Sequence, residues 1–194
     1  DRYLNVGIAE QNMCSVAAGL AFEGYMAFTY SIGNFPTLRG IEQIRNNICY
    51  HNANVKVMSV GGGFAYGDLG MTHHATEDIA MMRALPNMRV YVPSDEVDAV
   101  ACFKEAISFD GPAFIRMARG KEGVFHGQNE IINPSILQKY TDVDSDVNII
   151  TCGTLLGEGK KLQKKFVDHG INAGLFSILR IKPLCGEEIK ELAK

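Results

Sequence analysis

The sequence has no C-x-x-C pair, no G-x-S-x-G and no G-K-[ST], and none of its apolar runs approaches the roughly 18 to 20 residues of a membrane span. The first absence removes zinc ribbons and dithiol redox motifs. The second removes the hydrolase nucleophile elbow, and the third the phosphate loop of nucleotide hydrolases. There is no basic excess either: the formal charge is -3, which argues against nucleic acid as a partner because no stripe of cations exists to neutralise phosphates. The five cysteines, at 14, 49, 102, 152 and 185, are scattered and odd in number, which suits a reducing, cytoplasmic setting. No signal peptide, internal repeat or low-complexity segment is visible. What remains, 194 residues at 46% hydrophobic and 21% charged, is globular in composition. Asp1 leads almost at once into an apolar segment and "EEIKELAK" ends in mid-helix by pattern, so the sequence reads as a piece of a longer polypeptide.

Short β-rich runs alternate with helical patterns. Strands are expected at 3–8, 25–30, 55–60, 88–93, 112–118, 147–153 and 171–178. Helices are expected at 10–24, 38–52, 74–85, from a Ser94 or Asp95 cap to about 108, at 155–169 and after Pro183. Strands alternating with helices of this length imply an α/β fold, a mostly parallel sheet with helices on both faces. Periodicity fades between 121 and 146. The expected organisation is therefore a first α/β domain over 1–120, a linker over 121–146, and the beginning of a second α/β domain over 147–194.

In parallel sheets ligands sit at the carboxyl ends of the strands. The unusual residues cluster there, at 7–11, 30–35, 61–74, 93–95 and 116–119. Glu10 stands where an apolar run gives way to a helix of small residues. A first-turn acid favoured by the helix dipole fits, and so does a desolvated carboxyl with a proton to exchange. Burial would raise its pKa and the dipole would lower it; the sequence leaves the balance open. "GGGFAYGD" fails G-x-G-x-x-G at Tyr66 and reads as a tight turn that lets backbone approach closely. "THHATED" gathers His73, His74, Glu77 and Asp78, but a zinc site needs a third protein ligand at motif spacing, and hydrogen-bond or proton donation to a small ligand fits better. Tyr30 and Phe35 are core aromatics by default, although "SIGNFP" is loop-like and lets Phe35 pack on a ligand ring. Arg116 and Arg119, at a strand end, suit either a phosphate or a surface ion pair.

With these residues in view, the chain resembles the transketolase family of thiamine-diphosphate enzymes. The matching stretches are "NVGIAEQNM" with "AAGLA" (5–21), "RGIEQIRN" (39–46), "G-x-THH" (70–74), "RALPNMRVYVPSD" (83–95) and "IRMARG" (115–120), with "ILRIKPL" (178–184) similar to the C-terminal domain. The resemblance implies the pyrimidine-binding domain and the start of the C-terminal one. It implies that Glu10 hydrogen-bonds the cofactor's aminopyrimidine, favouring the imino tautomer that deprotonates the thiazolium carbon, so Glu10 is both catalytic and cofactor-binding. It assigns Phe35 and Ile8 to cofactor binding and His73 to the reacting carbonyl. Arg119 is matched to the sugar phosphate, with Tyr30 and Asp68 on the substrate side.

Leu69 stands where family members carry an aspartate, and Gly61 falls near a family substrate histidine. That implies a roomier, less polar sugar site. Nothing matches the diphosphate site, so thiamine diphosphate would be shared with a partner domain or chain that holds the Mg²⁺, in a homodimer or hetero-oligomer; this chain would bind no metal. The implied activity is transfer of a two-carbon ketol unit between sugar phosphates. The alternatives are 1-deoxyxylulose-5-phosphate synthase, the pyrimidine-binding subunit of a 2-oxoacid dehydrogenase, and a non-catalytic partner subunit.

Overall fold

Strand Val55–Val60, "VKVMSV", is buried along nearly its whole length, as a strand flanked by parallel neighbours must be. It is the centre of the first of two compact units, Asp1–Val90 with Ser108–Arg119. The computed structural model describes every residue except 1, 121, 122, 128, 129, 142, 143 and 194. In this unit the chain runs through helix α1 (Glu10–Phe22), β1 (Ala27–Ile32), a π-helical turn Phe35–Arg39, α2 (Ile41–Gln43), a second π-helical stretch Ile44–Cys49, β2 (Val55–Val60), α3 (Asp78–Ala84), β3 (Arg89–Tyr91) and β4 (Ala113–Met117). β2 pairs in parallel with β1 on one side and β4 on the other, Ala27 opposite Val55 and Val57 opposite Phe114. The expected parallel α/β fold is present.

α1 lays Cys14, Ala17 and Ala18 inward. Small side chains let a helix lie close to its neighbours; of the apolar positions that recur at helical spacing, Met13, Ala17, Leu20 and Ala21, only Ala17 is buried and Leu20 is exposed. Residues 3–8 are also not a strand. Tyr3, Leu4 and Ile8 are exposed and Gly7 turns the backbone to φ 75°, so this apolar run pairs in no ladder. The helix expected over 38–52 starts earlier, at Phe35, and is interrupted by its π turns, features no 3.6-residue pattern encodes. Lys56, fully buried in β2, donates from Nζ to the Phe109 and Gly111 carbonyls at 2.7 and 2.6 Å. Burial pulls its pKa down to about 8, with Asp110 opposing and Arg89 adding to the fall.

The second unit is Tyr91–Ile107 with Gly120–Lys194. It contains α4 (Glu96–Ser108), β5 (Gln138–Lys139), β6 (Val147–Cys152), α5 (Leu156–Asp168), β7 (Ala173–Ile178), β8 (Arg180–Lys182) and α6 (Gly186–Leu192). β7 is central, parallel to β6 and antiparallel to β5. β5 falls inside the stretch expected to be a linker, because two residues are too short to show alternation. Six residues of that stretch lie outside the described ones. Among the described residues, no helix is long and apolar enough to cross a membrane.

Candidate active site

The carboxyl ends of β1, β2 and β4 converge on a set of loops that close approach makes rigid. Gly33 N–H donates to Val60 O at 2.7 Å, while Thr37 and Ser59 hydroxyls both donate to Gly33 O. A side chain at Gly33 would bring its Cβ to 2.9 Å from Gly61 O and 3.0 Å from Ala75 Cβ, so only glycine lets the β1 loop lie this close to the β2 loop. Behind them, Gly63 and Ala75 exchange backbone hydrogen bonds at 2.7 and 2.9 Å. Arg116 braces this bridge: Nε donates to Asp78 Oδ2 at 2.7 Å and Nη2 to Ala75 O at 3.1 Å.

On this frame Glu10 is the first residue of α1 and 6% exposed. Ser31 Oγ, near the end of β1, donates to Oε1 at 3.2 Å; Arg39 Nη1, from the π-helical turn, donates to Oε2 at 2.6 Å. Burial pushes the Glu10 pKa up, but its own backbone N–H, the Arg39 hydrogen bond and charge, and Ser31 together outweigh that and hold it below the ordinary value. The balance left open by the sequence is thus tipped downward by the helix-start N–H together with an arginine 29 residues away. With Arg39 in place, Glu10 is a carboxylate.

From Arg39 the contacts run onward. Its guanidinium carbon is 4.6 Å from the centroid of the Phe35 ring, an i,i+4 pair. Phe35 meets His73 edge to face with centroids 5.2 Å apart, and His73 lies 6.0 Å from Tyr66. His73 Nδ1 shares a hydrogen bond with Thr72 Oγ1, and Asn34 Nδ2 donates to Thr72 O, fixing the His73 loop to the Phe35 loop. Arg119 rests on the Tyr66 ring at 4.5 Å and donates from Nη1 to Ala65 O. Glu10, Phe35, His73 and Arg119, far apart in sequence, thus form one continuous cluster.

The other sequence candidates lie outside this chain of contacts. Tyr30 alternates with Ser31 along β1, so it takes the sheet face opposite Glu10 and is exposed. Ile8 is 91% exposed, and Asp68 is exposed on the 3₁₀ turn Gly67–Leu69. The "THHATED" side chains diverge: His74 Nε2 bonds Gly67 O, Thr76 Oγ1 donates to Glu77, and Asp78 turns to Arg116. Arg116 therefore takes the ion-pair alternative. Ser31 and Tyr66 carry no sequence signal, and Arg39 is legible only as part of "RGIEQIRN"; their roles arise from tertiary contacts.

The second unit holds a separate buried cluster, Asp95, Asp98 and His126, whose donor atoms lie within 4.8 Å of one another. Most of its hydrogen-bonding atoms are used internally, while Asp98 Oδ1 is buried without a hydrogen-bond partner, 3.6 Å from His126 Nδ1. Asp95 Oδ2 accepts the Phe125 and His126 N–H groups and faces His126 Nδ1 at 3.0 Å; Oδ1 accepts Asp98 N–H, which makes Asp95 the expected cap of α4. Asp98 Oδ2 accepts Ser94 N–H, and the Tyr140 hydroxyl meets His126 Nε2 at 2.8 Å. Burial pushes Asp98 upward, whereas Asp95 is held low because backbone donors and His126 outweigh its burial. This cluster anchors the segment around Phe125 and His126 to the start of α4.

The family profile described as transketolase, pyrimidine binding domain, matches residues 1–123. The chain belongs to the transketolase family. It is 31% identical to one of the subunits of the apulose-4-phosphate transketolase of Actinobacillus succinogenes, over 94% of this chain and 58% of that protein. It is 32% identical to 1-deoxy-D-xylulose-5-phosphate synthase 1 of Geobacter sulfurreducens, over all of this chain and 30% of the synthase. A solved structure, a split-gene transketolase described as an inactive β4 tetramer, superposes with a TM-score of 0.88 at 34% identity, covering 98% of this chain and 61% of that one. This transketolase-family chain spans about three-fifths of the length of these two shorter relatives.

Proposed function

We propose that this chain supplies the pyrimidine-binding half of a thiamine-diphosphate site that transfers a two-carbon ketol unit between sugar phosphates. The observation that carries the reading is the gathering of Glu10, Phe35 and His73, Glu10 and His73 lying on the motifs that mark the family and Phe35 in the loop after β1. The donor set fits the aminopyrimidine end of the cofactor: a shielded carboxyl for a ring nitrogen, beside an aromatic ring that can stack. We assign Mg²⁺ and the diphosphate to a partner, because no stretch of the sequence resembles the family's diphosphate site. The subunit name and the oligomeric description among the relatives support such a partner, as do the exposed apolar side chains Tyr3, Leu4, Ile8 and Phe28.

Bound thiamine diphosphate supplies the nucleophilic carbon and electron sink that ketol transfer requires. Glu10 holds a proton at the pyrimidine nitrogen, which demands that it be protonated when the pyrimidine is seated. Phe35 orients the ring and keeps water from one face. His73 donates to the substrate carbonyl, and Arg119 holds the sugar phosphate, with Asp68 and Ile8 at the margins; a substrate role for Tyr30 would require reach from the other face of β1. The domain boundaries we propose are those read from the sequence, 1–120 and 147–194. The five free cysteines suit a reducing compartment, and we place the protein in the cytosol.

The test is reconstitution. Mixed with a diphosphate-binding section, thiamine diphosphate and Mg²⁺, the chain should give ketol transfer from a ketose phosphate; a mixture that assembles without cofactor-dependent turnover would favour a scaffolding subunit. The likeness to the Geobacter synthase over the whole chain keeps a second reading in play, 1-deoxyxylulose-5-phosphate synthesis, which the same mixture would reveal by decarboxylating pyruvate.

A further inference from the structure

Arg39 makes at once the two contacts that the reading above gives to the aminopyrimidine. It donates to Glu10 Oε2 at 2.6 Å and its guanidinium stands 4.6 Å from the Phe35 ring centroid. A guanidinium and a protonated aminopyrimidine are alike in the ways that count here: planar, delocalised, cationic, and edged with N–H donors. One carboxyl oxygen and one ring cannot serve both. We infer that Arg39 is a built-in competitor for the pyrimidine subsite, leaving Glu10 and Phe35 when the cofactor enters and thereby freeing Glu10 to take up its proton. The inference rests on the pyrimidine reading and adds to it a residue that sets the threshold for cofactor entry.

Besides its own backbone N–H and the Ser31 hydroxyl, Arg39 is what holds Glu10 ionised. Ser31, from β1, is neutral; Cys14, along α1, has its thiol pushed up to about 12 by burial and by Glu10, so it is neutral too. Arg39, from the π-helical turn, is the cation at hydrogen-bond distance, and its side chain is 43% exposed against 8% for Glu10. An exposed arginine on a flexible stem can swing into water at small cost, whereas Glu10 is fixed at the start of α1.

The test uses this chain with thiamine, which lacks the diphosphate and so engages this half alone. Glu10 is followed by carboxyl ¹³C NMR, and binding by shifts at Glu10 and Phe35, in the wild type, R39M and R39K. R39M should move the Glu10 titration to higher pH and tighten thiamine about tenfold, the gain for a competent state populated roughly one part in ten while Arg39 competes. R39K, which keeps charge without the planar fork, should fall between, and it serves as the test if R39M fails to fold. Shifts at both residues with equal or weaker affinity in the variants would overturn the competition and leave the pyrimidine reading standing. No thiamine-induced shift at Glu10 or Phe35 in any of the three would sink that reading, and the inference with it.

Discussion

Glu10→Ala should lower ketol-transfer turnover in the reconstituted enzyme by about 10²- to 10⁴-fold, the usual contribution of a positioned proton donor. The chain itself should survive the change. Glu10 lies at a helix start, where an acid contributes about 0.3–1 kcal/mol. Its ion-pair partner is 43% exposed and regains water when the carboxylate is removed. Stability and catalysis are therefore separable at this residue: denaturant unfolding should show a loss of about 1 kcal/mol while turnover collapses. Unimpaired turnover would mean that the proton comes from elsewhere.

Asp78→Ala should do the reverse, lowering stability by about 3–5 kcal/mol, the cost of stranding one member of a buried ion pair. Asp78 is 1% exposed and Arg116 19%, and the pair holds the Gly63–Ala75 bridge in place through the Ala75 carbonyl. Gly62 lies so close to this guanidinium that a Cβ there would sit 2.1 Å from Arg116 Nε, so the loop and the arginine are packed as one piece. Without its carboxylate partner Arg116 is left with too little water to replace it, and the segment carrying His73 loses its brace. The double variant D78L/R116M, which removes both charges, should be less destabilised than D78A, because no charge is then left unpaired. Denaturant midpoints at constant m-value measure both; a loss below about 1 kcal/mol for D78A would show that the pair is not the brace.

The parallel fold is legible because burial on both faces leaves a plain mark: "VKVMSV" and "PAFIRMA" are apolar runs bounded by turns, and each contains a strand of the first unit. The start of α1 at Glu10 is legible from the change of residue type. Residues 3–8 look no different in composition, yet a strand exists only where a neighbour supplies a ladder, and exposure of Tyr3, Leu4 and Ile8 records the lack of one here. Phe35, His73 and Arg119 fall together because strand ends are where parallel sheets put their loops, and Glu10, at the start of α1, joins them through Ser31 and Arg39. Tyr30 does not join them, since alternation along β1 assigns Ser31 to the Glu10 side. Arg39 is hidden for another reason: its meaning lies in a 2.6 Å contact with a residue 29 positions earlier, and local pattern carries no trace of such a contact. The same holds for His126, which reaches Asp95 across 31 residues.

The most direct measurement is the rate at which the thiazolium C2 hydrogen exchanges with deuterium, followed by NMR in the assembled enzyme for the wild type and for Glu10→Gln. Glutamine keeps the shape and a hydrogen-bonding edge but has no proton to give. Exchange at least about 100-fold slower in the variant is what the account predicts. Equal rates in the two proteins would contradict it.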